Sequence, residues 1–321
     1  MKTVILESLG ISKEKLEGLE KPFKEAGDIF EEYERTSDPD ALVKEIGDAD
    51  AAVIANMPLS GDVISRCPNL KFIDVAFTGV DHVGLSACRE KKIAVSNASG
   101  YSNEAVAELA VGMVISLLRK IPQVDERARH QGTKAGLVGC ELMGKTVGII
   151  GLGHIGKRSA ELFHAFGARI AAHSLHEHDD WPAYISQLPL DELLKEADIV
   201  VLHCPLNDST RGMIDAGKLA LMKPSAVLIN VARGPVVVAT DLADALKRGE
   251  IAGAGIDVFD AEPPIPETEP LLAAPNTILT PHVAFATKES MDIRADIVFD
   301  NLRAWMDRKQ KSYCWVRAIW V

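Results

Sequence analysis

Short apolar runs alternate with amphipathic stretches along most of the chain. Residues 3–6, 51–54, 71–75 and 93–95 predict strands, and 39–46, 60–66 and 82–90 predict the helices between them. Strand–helix alternation implies a parallel sheet covered by helices on both faces. The first hundred residues form one such unit. Residues 102–120, SNEAVAELAVGMVISLLRK, then read as a long helix that Ser102 can cap. Its apolar stripe is nearly continuous, too apolar for a surface helix, and predicts packing between domains. A polar, glycine-containing stretch covers 125–140.

The alternation resumes in a second set, with strands predicted over 146–150, 169–173, 199–203, 227–231, 253–258 and 277–279. Six strands with crossover helices is the count of a full dinucleotide-binding fold. The Pro/Glu-rich run 261–270 reads as a loop, and a final helix spans about 287–307. Returned to the first unit, that helix would leave the second unit as an insertion, with crossing points near Gly100 and Pro281. The fold class is α/β, with two doubly wound parallel-sheet domains.

Composition narrows the function. With 321 residues, 47% hydrophobic and 25% charged, the chain has an ordinary globular balance. Its net charge of −11 disfavours nucleic acid and anionic membrane surfaces as partners. No apolar run approaches the roughly 18 residues of a membrane span. Only Val4, Ile5 and Leu6 precede Glu7 at the N-terminus. That falls short of the roughly 7–15 apolar residues of a signal core. The five cysteines are odd in number and contain no CxxC, as expected of reduced thiols in the cytoplasm.

Residues 147–156, VGIIGLGHIG, carry the first chemistry. An apolar strand runs into Gly151, Gly153 and Gly156, and the helical KRSAELFHAFG follows at once. Gly151 permits the tight turn, Gly153 lets a pyrophosphate approach the backbone, and Gly156 lets helix and strand pack closely. The N–H groups and positive end of the helix then hold the phosphates. After the next strand, Ser174 stands where an acid would grip the adenosine ribose. A 2′-phosphate is therefore not repelled, and His173, His176 and His178 could contact it. Glu177 is near and no Arg is, so NAD and NADP both stay open. The same histidines have zinc-like spacing, but no cysteine or carboxylate set accompanies them, and no metal is expected.

Three further segments end predicted strands: INVARGPVV with Arg233, GAGIDVFDAEPP with Asp257 and Glu262, and LTPHVAFAT with His282. Ligands of open parallel sheets bind beyond such carboxyl ends. Arg233 offers a planar fork for a carboxylate. His282 can give a proton to a carbonyl oxygen or take one from a hydroxyl. Glu262, paired with His282, would favour the imidazolium. Each residue alone has an ordinary reading as a local salt bridge, a surface charge or a bonded strand-end histidine. Together with the glycine loop they suit hydride transfer between a nicotinamide and a 2-keto or 2-hydroxy acid.

The chain resembles the D-isomer-specific 2-hydroxyacid dehydrogenase family over about residues 1–305. The resemblance rests on FTGVDHVG, EAVAELAVG, GCELMGKTVGIIGLGHIG, HCPLNDSTRGMI, LINVARGPVV, GAGIDVFDAEPP and LTPHVAFAT, in that order. It implies a flavodoxin-like substrate domain, 1–100 and 284–321, around a Rossmann-type cofactor domain, 101–283. It implies Arg233, Glu262 and His282 as the catalytic set, with Arg233 also contacting cofactor and substrate. Cofactor contacts would fall on Gly151, Gly153, His154, Ile155, Gly156, Ser174, Cys204, Pro205, Thr210, Val231, Ala232 and Asp257, with Val106 near the nicotinamide. Backbone at Thr78 and Gly79 would hold the substrate carboxylate. Family members are usually homodimers joined through their cofactor domains. Ser174 departs from the family pattern, and so does the tail KQKSYCWVRAIWV, whose role the sequence does not give.

The substrate pocket should draw on AVIANMPLSGD, where Asn56, Met57 and Leu59 follow a strand. No Arg or Lys sits in that segment, which argues against a phosphorylated substrate. Phe77 and Phe285 either line the pocket or pack in the core. These residues leave glyoxylate, hydroxypyruvate, pyruvate and a branched 2-keto acid open. The general resemblance to the family favours a hydroxypyruvate/glyoxylate reductase, with a D-lactate or branched 2-keto acid dehydrogenase as the alternative. A non-catalytic NAD(H) sensor of the same fold is disfavoured by the intact Arg233, Glu262 and His282. A formate dehydrogenase is disfavoured because Glu262 stands where such relatives carry Gln.

Overall fold

The computed structural model describes residues 1–175 and 181–307. His176, Glu177, His178, Cys314 and the tail KQKSYCWVRAIWV lie outside the described residues. The chain divides into two compact units, Met1–Ser102 together with the segment from Ala286 onward, and Asn103–Phe285.

In the first unit, strands β1 (Lys2–Ile5), β2 (Ile29–Glu32), β3 (Ala51–Ile54), β4 (Phe72–Val75) and β5 (Ala94–Asn97) form one sheet in the order β2-β1-β3-β4-β5. All its pairings are parallel, as expected of a flavodoxin-like layout. Helices α1 (Lys13–Glu25), α2 (Pro39–Ile46), α3 (Gly61–Arg66) and α4 (Leu85–Lys91) provide the crossovers. Strands β3 and β4 are buried throughout, as a sheet covered on both faces requires.

The second unit opens with α5 (Asn103–Leu118) and α6 (Ile121–Arg129), and α6 takes in the start of the polar stretch 125–140. Then follow β6 (Thr146–Ile150), α7 (His154–Ala165), β7 (Arg169–His173), β8 (Ile185–Gln187), α8 (Leu190–Glu196), β9 (Ile199–Leu202), α9 (Ala216–Leu219), β10 (Val227–Asn230), α10 (Ala239–Arg248), β11 (Gly253–Ile256) and β12 (Thr277–Leu279). The sheet has seven strands in the order β12-β11-β10-β9-β6-β7-β8, all parallel, where the sequence predicted six. The added strand is β8, three residues long at the sheet edge, with Ser186 and Gln187 exposed. It offers too little apolar pattern to be read as a strand. The strand order reverses at β6 and β9, the switch point where open α/β sheets bind ligands.

Helix α5 carries Val106, Ala110, Val111, Met113 and Val114 into the second unit's own core, beside Ile149, Phe163 and Ile229. Its unusual apolarity is thus explained by burial within this unit, without a partner domain. The last helix, α11 (Lys288–Met306), starts in a capping box between Thr287 and Ser290 and belongs to the first unit. Phe299 packs there against Phe23 and Phe30, and Trp305 stacks on Phe72 at 4.8 Å.

Candidate active site

The glycine loop joins β6 to α7 at the switch point. Gly151 takes φ +93°, and a Cβ there would stand 2.6 Å from the Cys204 backbone nitrogen. A side chain is thus barred by conformation and by the neighbouring strand exit. Gly153 begins α7 with no side-chain cap, and a Cβ on it would meet nothing within 4 Å. A Cβ at Gly156 would strike the Gly151 carbonyl oxygen. The first turn of α7, with His154 exposed and Ile155 half-buried, contains no acid. Unclaimed N–H groups, open space and the positive helix end fit a pyrophosphate. Ser174 follows β7 directly and is half-buried, while His173 turns its Nδ1 toward the Leu188 carbonyl at 3.2 Å.

At the exit of β9, burial drives the Cys204 thiol up to about 11. The following loop is closed on itself. The Thr210 hydroxyl donates to the Pro205 carbonyl at 2.7 Å and accepts from the Asn207 amide at 2.9 Å. Thr210 is 5% exposed, and these two bonds fix the loop's shape. Val106, Val231 and Ala284 share one buried cluster.

At the exit of β10, Asn230 is buried and holds the turn that presents Arg233. Its Oδ1 accepts from Ala232 N at 3.1 Å, and its Nδ2 donates to the Arg233 carbonyl at 2.9 Å. Arg233 Nη1 donates to the Ala232 carbonyl at 2.8 Å. Gly234 has no room for a side chain, because a Cβ would strike the Phe259 carbonyl. Asn230 was missed from the sequence. A polar residue ending an otherwise apolar buried strand was the available signal.

Asp257 and His282 meet through the backbone. The Asp257 carbonyl accepts from His282 N at 2.7 Å. Its carboxylate, fully buried, accepts from Thr280 Oγ1 at 2.5 Å and from the amides of Val283 and Ala284, both at 2.9 Å. This clamp holds His282 at φ +54°, a left-handed conformation that non-glycine residues rarely adopt. His282 Nδ1 lies 2.7 Å from Glu262 Oε2, with the His side chain 9% exposed and the Glu side chain 37% exposed. Phe285 packs edge-on against the His282 ring at 5.5 Å. Phe77, by contrast, is a buried neighbour of Tyr101.

In the first unit, Thr78 and Gly79 follow β4. The Thr78 carbonyl is fixed by Asn97 Nδ2 at 2.6 Å, and its buried hydroxyl has no partner. Asn56 follows β3 and is half-buried, but Met57 and Leu59 are fully buried and are core residues. The segment 52–62 itself holds no Arg or Lys, but a cation reaches Asn56 from another strand. Arg35, just beyond β2, donates from Nη1 to Asn56 Oδ1 at 3.2 Å. The neighbour comes from another strand, and β2 was not recognised, so no local reading of residues 51–62 could find it. Among the described residues, no group of three or more His, Cys, Asp or Glu could hold a metal ion.

Residues 111–284 match the family described as D-isomer specific 2-hydroxyacid dehydrogenase, NAD binding domain. A glycerate dehydrogenase of Methylorubrum extorquens is 37% identical over 292 residues, 88% of this chain and 91% of that one. A hydroxypyruvate reductase of Blautia hydrogenotrophica is 34% identical over 287 residues, 85% of this chain and 88% of that one. Among solved structures, a D-lactate dehydrogenase from Aquifex aeolicus complexed with NAD and lactic acid matches with a TM-score of 0.85 at 27% identity, covering 96% of both chains. The chain belongs to the D-isomer-specific 2-hydroxyacid dehydrogenase family. It is an oxidoreductase that uses NAD or NADP on 2-hydroxy acids and the corresponding 2-keto acids.

Proposed function

We propose that this chain reduces a small 2-keto acid to the D-2-hydroxy acid, with hydroxypyruvate or glyoxylate as its substrate. The observation that carries the reading is the 2.7 Å contact between His282 Nδ1 and Glu262 Oε2 on a nearly enclosed imidazole. With Nδ1 engaged by the carboxylate, Nε2 delivers the proton to the substrate's keto oxygen. Glu262 stabilises the charged ring beforehand and orients the neutral ring afterwards. Arg233, steadied by its own turn, binds the substrate carboxylate through its fork. Backbone at Thr78 and Gly79 and the side chain of Asn56 are the first unit's substrate contacts. The pyrophosphate is held at Gly151, Gly153, His154, Ile155 and Gly156, with further cofactor contacts at Ser174, Cys204, Pro205, Thr210, Val231, Ala232 and Asp257. Val106 backs the nicotinamide. When bound, the nicotinamide supplies or takes the hydride. The first unit is the substrate domain and the second unit the cofactor domain, with boundaries two residues from the expected ones.

The reading extends to a cytoplasmic homodimer joined through the cofactor domain. The described cysteines, Cys67, Cys88, Cys140 and Cys204, are all unpaired, which suits a reducing compartment. Ile121, Val138 and Met143 are exposed at 44%, 73% and 72%, which suits burial against a second copy.

The test follows nicotinamide absorbance with NADH and NADPH, each offered with hydroxypyruvate, glyoxylate, pyruvate, phenylpyruvate and 2-ketoisocaproate. Oxidation fastest with hydroxypyruvate or glyoxylate is expected, and His282→Ala should abolish it while sparing cofactor binding. Oxidation fastest with pyruvate or 2-ketoisocaproate would move the assignment to a lactate or branched-acid enzyme. Cofactor binding without any oxidation would favour an NAD(H) sensor.

A further inference from the structure

The exits of β2, β1 and β3 converge on one buried carboxylate. Glu7, just past β1, is 4% exposed, and its Oε2 accepts from the backbone amides of Ala55 and Met57 at 2.6 and 2.8 Å. Its Oε1 lies 3.4 Å from Arg35 Nη1, which also donates to Asn56. A second guanidinium, on α11, is buried within the electrostatic reach of Glu7. Arg294 is 2% exposed, donates from Nη2 to the Leu9 carbonyl at 2.7 Å, and feels the charge of Glu7.

Arg35 is used by only one of its nitrogens. Its Nη2 and Nε make no hydrogen bond among the described residues, and its side chain is 45% exposed. Glu7 and Asn56 therefore fix the guanidinium while leaving part of its donor fork available. The fork stands at the carboxyl edge of an open parallel sheet, where ligands bind. Neutralising Glu7 alone is a weaker account of Arg35, because the amides of Ala55 and Met57 already serve that carboxylate.

Building on the 2-keto acid reading above, we propose that Arg35 and Asn56 are a specificity-determining pair that recognises an oxygen acceptor on the substrate tail. The acceptor is a hydroxyl or a second carboxylate at C3 or beyond. The substrate carboxylate is assigned to the backbone past β4, and β3 is the neighbouring strand. Adjacent strands are about 4.8 Å apart, a span of a few carbon–carbon bonds. A tail oxygen at that distance meets Asn56 and the donors of Arg35, whereas an aliphatic tail leaves those donors unmatched. The chain thus selects hydroxylated or dicarboxylic 2-keto acids over plain and branched ones.

The test compares kcat and KM for hydroxypyruvate, oxaloacetate and 2-oxobutyrate in the wild type, Arg35→Met and Arg35→Lys. Removing a charged donor should lower the preference for the oxygen-bearing acids over 2-oxobutyrate by about tenfold to a hundredfold, mostly through KM. Lys, which keeps the charge without the fork, should give an intermediate loss. A loss confined to hydroxypyruvate identifies the acceptor as a hydroxyl, and one confined to oxaloacetate identifies it as a carboxylate. An equal loss with all three acids, or an unchanged ratio, overturns the assignment and leaves Arg35 a structural partner of Glu7. Wild-type protein that reduces none of the acids would instead overturn the 2-keto acid reading, and this inference with it.

Discussion

Asp257 sets the backbone conformation of His282. Its carbonyl takes the His282 amide at 2.7 Å, while its carboxylate takes the amides of Val283 and Ala284. The imidazole is therefore aimed by a residue that need not touch the proton it transfers. Asp257→Asn replaces an acceptor with a donor facing a backbone N–H. Because misplacement by about 1 Å can cost a hundredfold in rate, kcat should fall by about tenfold to a hundredfold. Cofactor affinity, followed by NADH fluorescence, should also fall, because Asp257 is a proposed cofactor contact, but by less than kcat. Equal losses in both would show that Asp257 serves the cofactor instead.

Gly156→Ala tests the glycine loop. The added methyl strikes the Gly151 carbonyl, so β6 and α7 must separate. NADH affinity should weaken at least about tenfold, since the N–H groups of the helix no longer converge on the pyrophosphate. Calorimetric titration measures this directly, and unaltered affinity would reject the assigned phosphate site.

Arg233→Lys keeps the charge and removes the planar fork. KM for the keto acid should rise by about tenfold or more, with cofactor affinity little affected. A change confined to kcat would point to a role other than holding the carboxylate.

Ser174→Asp introduces the acid that the ribose position lacks. Its charge repels a 2′-phosphate and accepts from a 2′-hydroxyl, so the kcat/KM ratio of NADH to NADPH should rise about tenfold or more. Steady-state kinetics with both cofactors decide it, and a constant ratio would mean the ribose end lies elsewhere.

Asp74 gives a pH prediction independent of the active site. It is fully buried on β4, where Ser96 Oγ donates to it at 2.7 Å and Asn301 Nδ2 at 3.2 Å. Burial raises its pKa to about 7, outweighing both hydrogen bonds. The folded state therefore binds this proton more tightly than the unfolded state. The stabilisation is complete below about pH 4 and is lost as pH rises through about 7. Asp74→Asn, which cannot ionise, should be more stable than the wild type at pH 8 by about 1–3 kcal/mol. That advantage should vanish toward pH 4. Denaturant midpoints at the two pH values test it, and a pH-independent difference would reject it.

Much of this architecture was legible in the chain because buried parallel strands are apolar throughout. The segments 51–54, 146–150, 169–173 and 277–279 coincide with β3, β6, β7 and β12. The elements overlooked are those whose pattern is diluted by solvent. Strand β2, Ile-Phe-Glu-Glu, lies at a sheet edge with Ile29 56% exposed, and α1 buries only Glu20 and Phe23. Missing β2 also concealed Arg35, whose relation to Asn56 exists only after the sheet forms. The histidine, glutamate and arginine were readable because each ends a recognisable strand or follows one. The clamp of Asp257 was not, since it works through backbone groups that leave no residue pattern, and Asn230 left only the weak signal of a polar residue ending an apolar strand.

The division of the chain also orders its assembly in time. Asp74 receives a hydrogen bond from Asn301, 227 positions later, and the complete second unit lies between them. During synthesis the five strands of the first sheet leave the ribosome well before α11, whose Phe299 and Trp305 cover part of that sheet. The second unit is contiguous and can close while the first still awaits its last helix. Residues made well before α11 are thus among the last to be fully covered, and a chain stopped short of α11 would leave Phe30 and Phe72 without those aromatic partners.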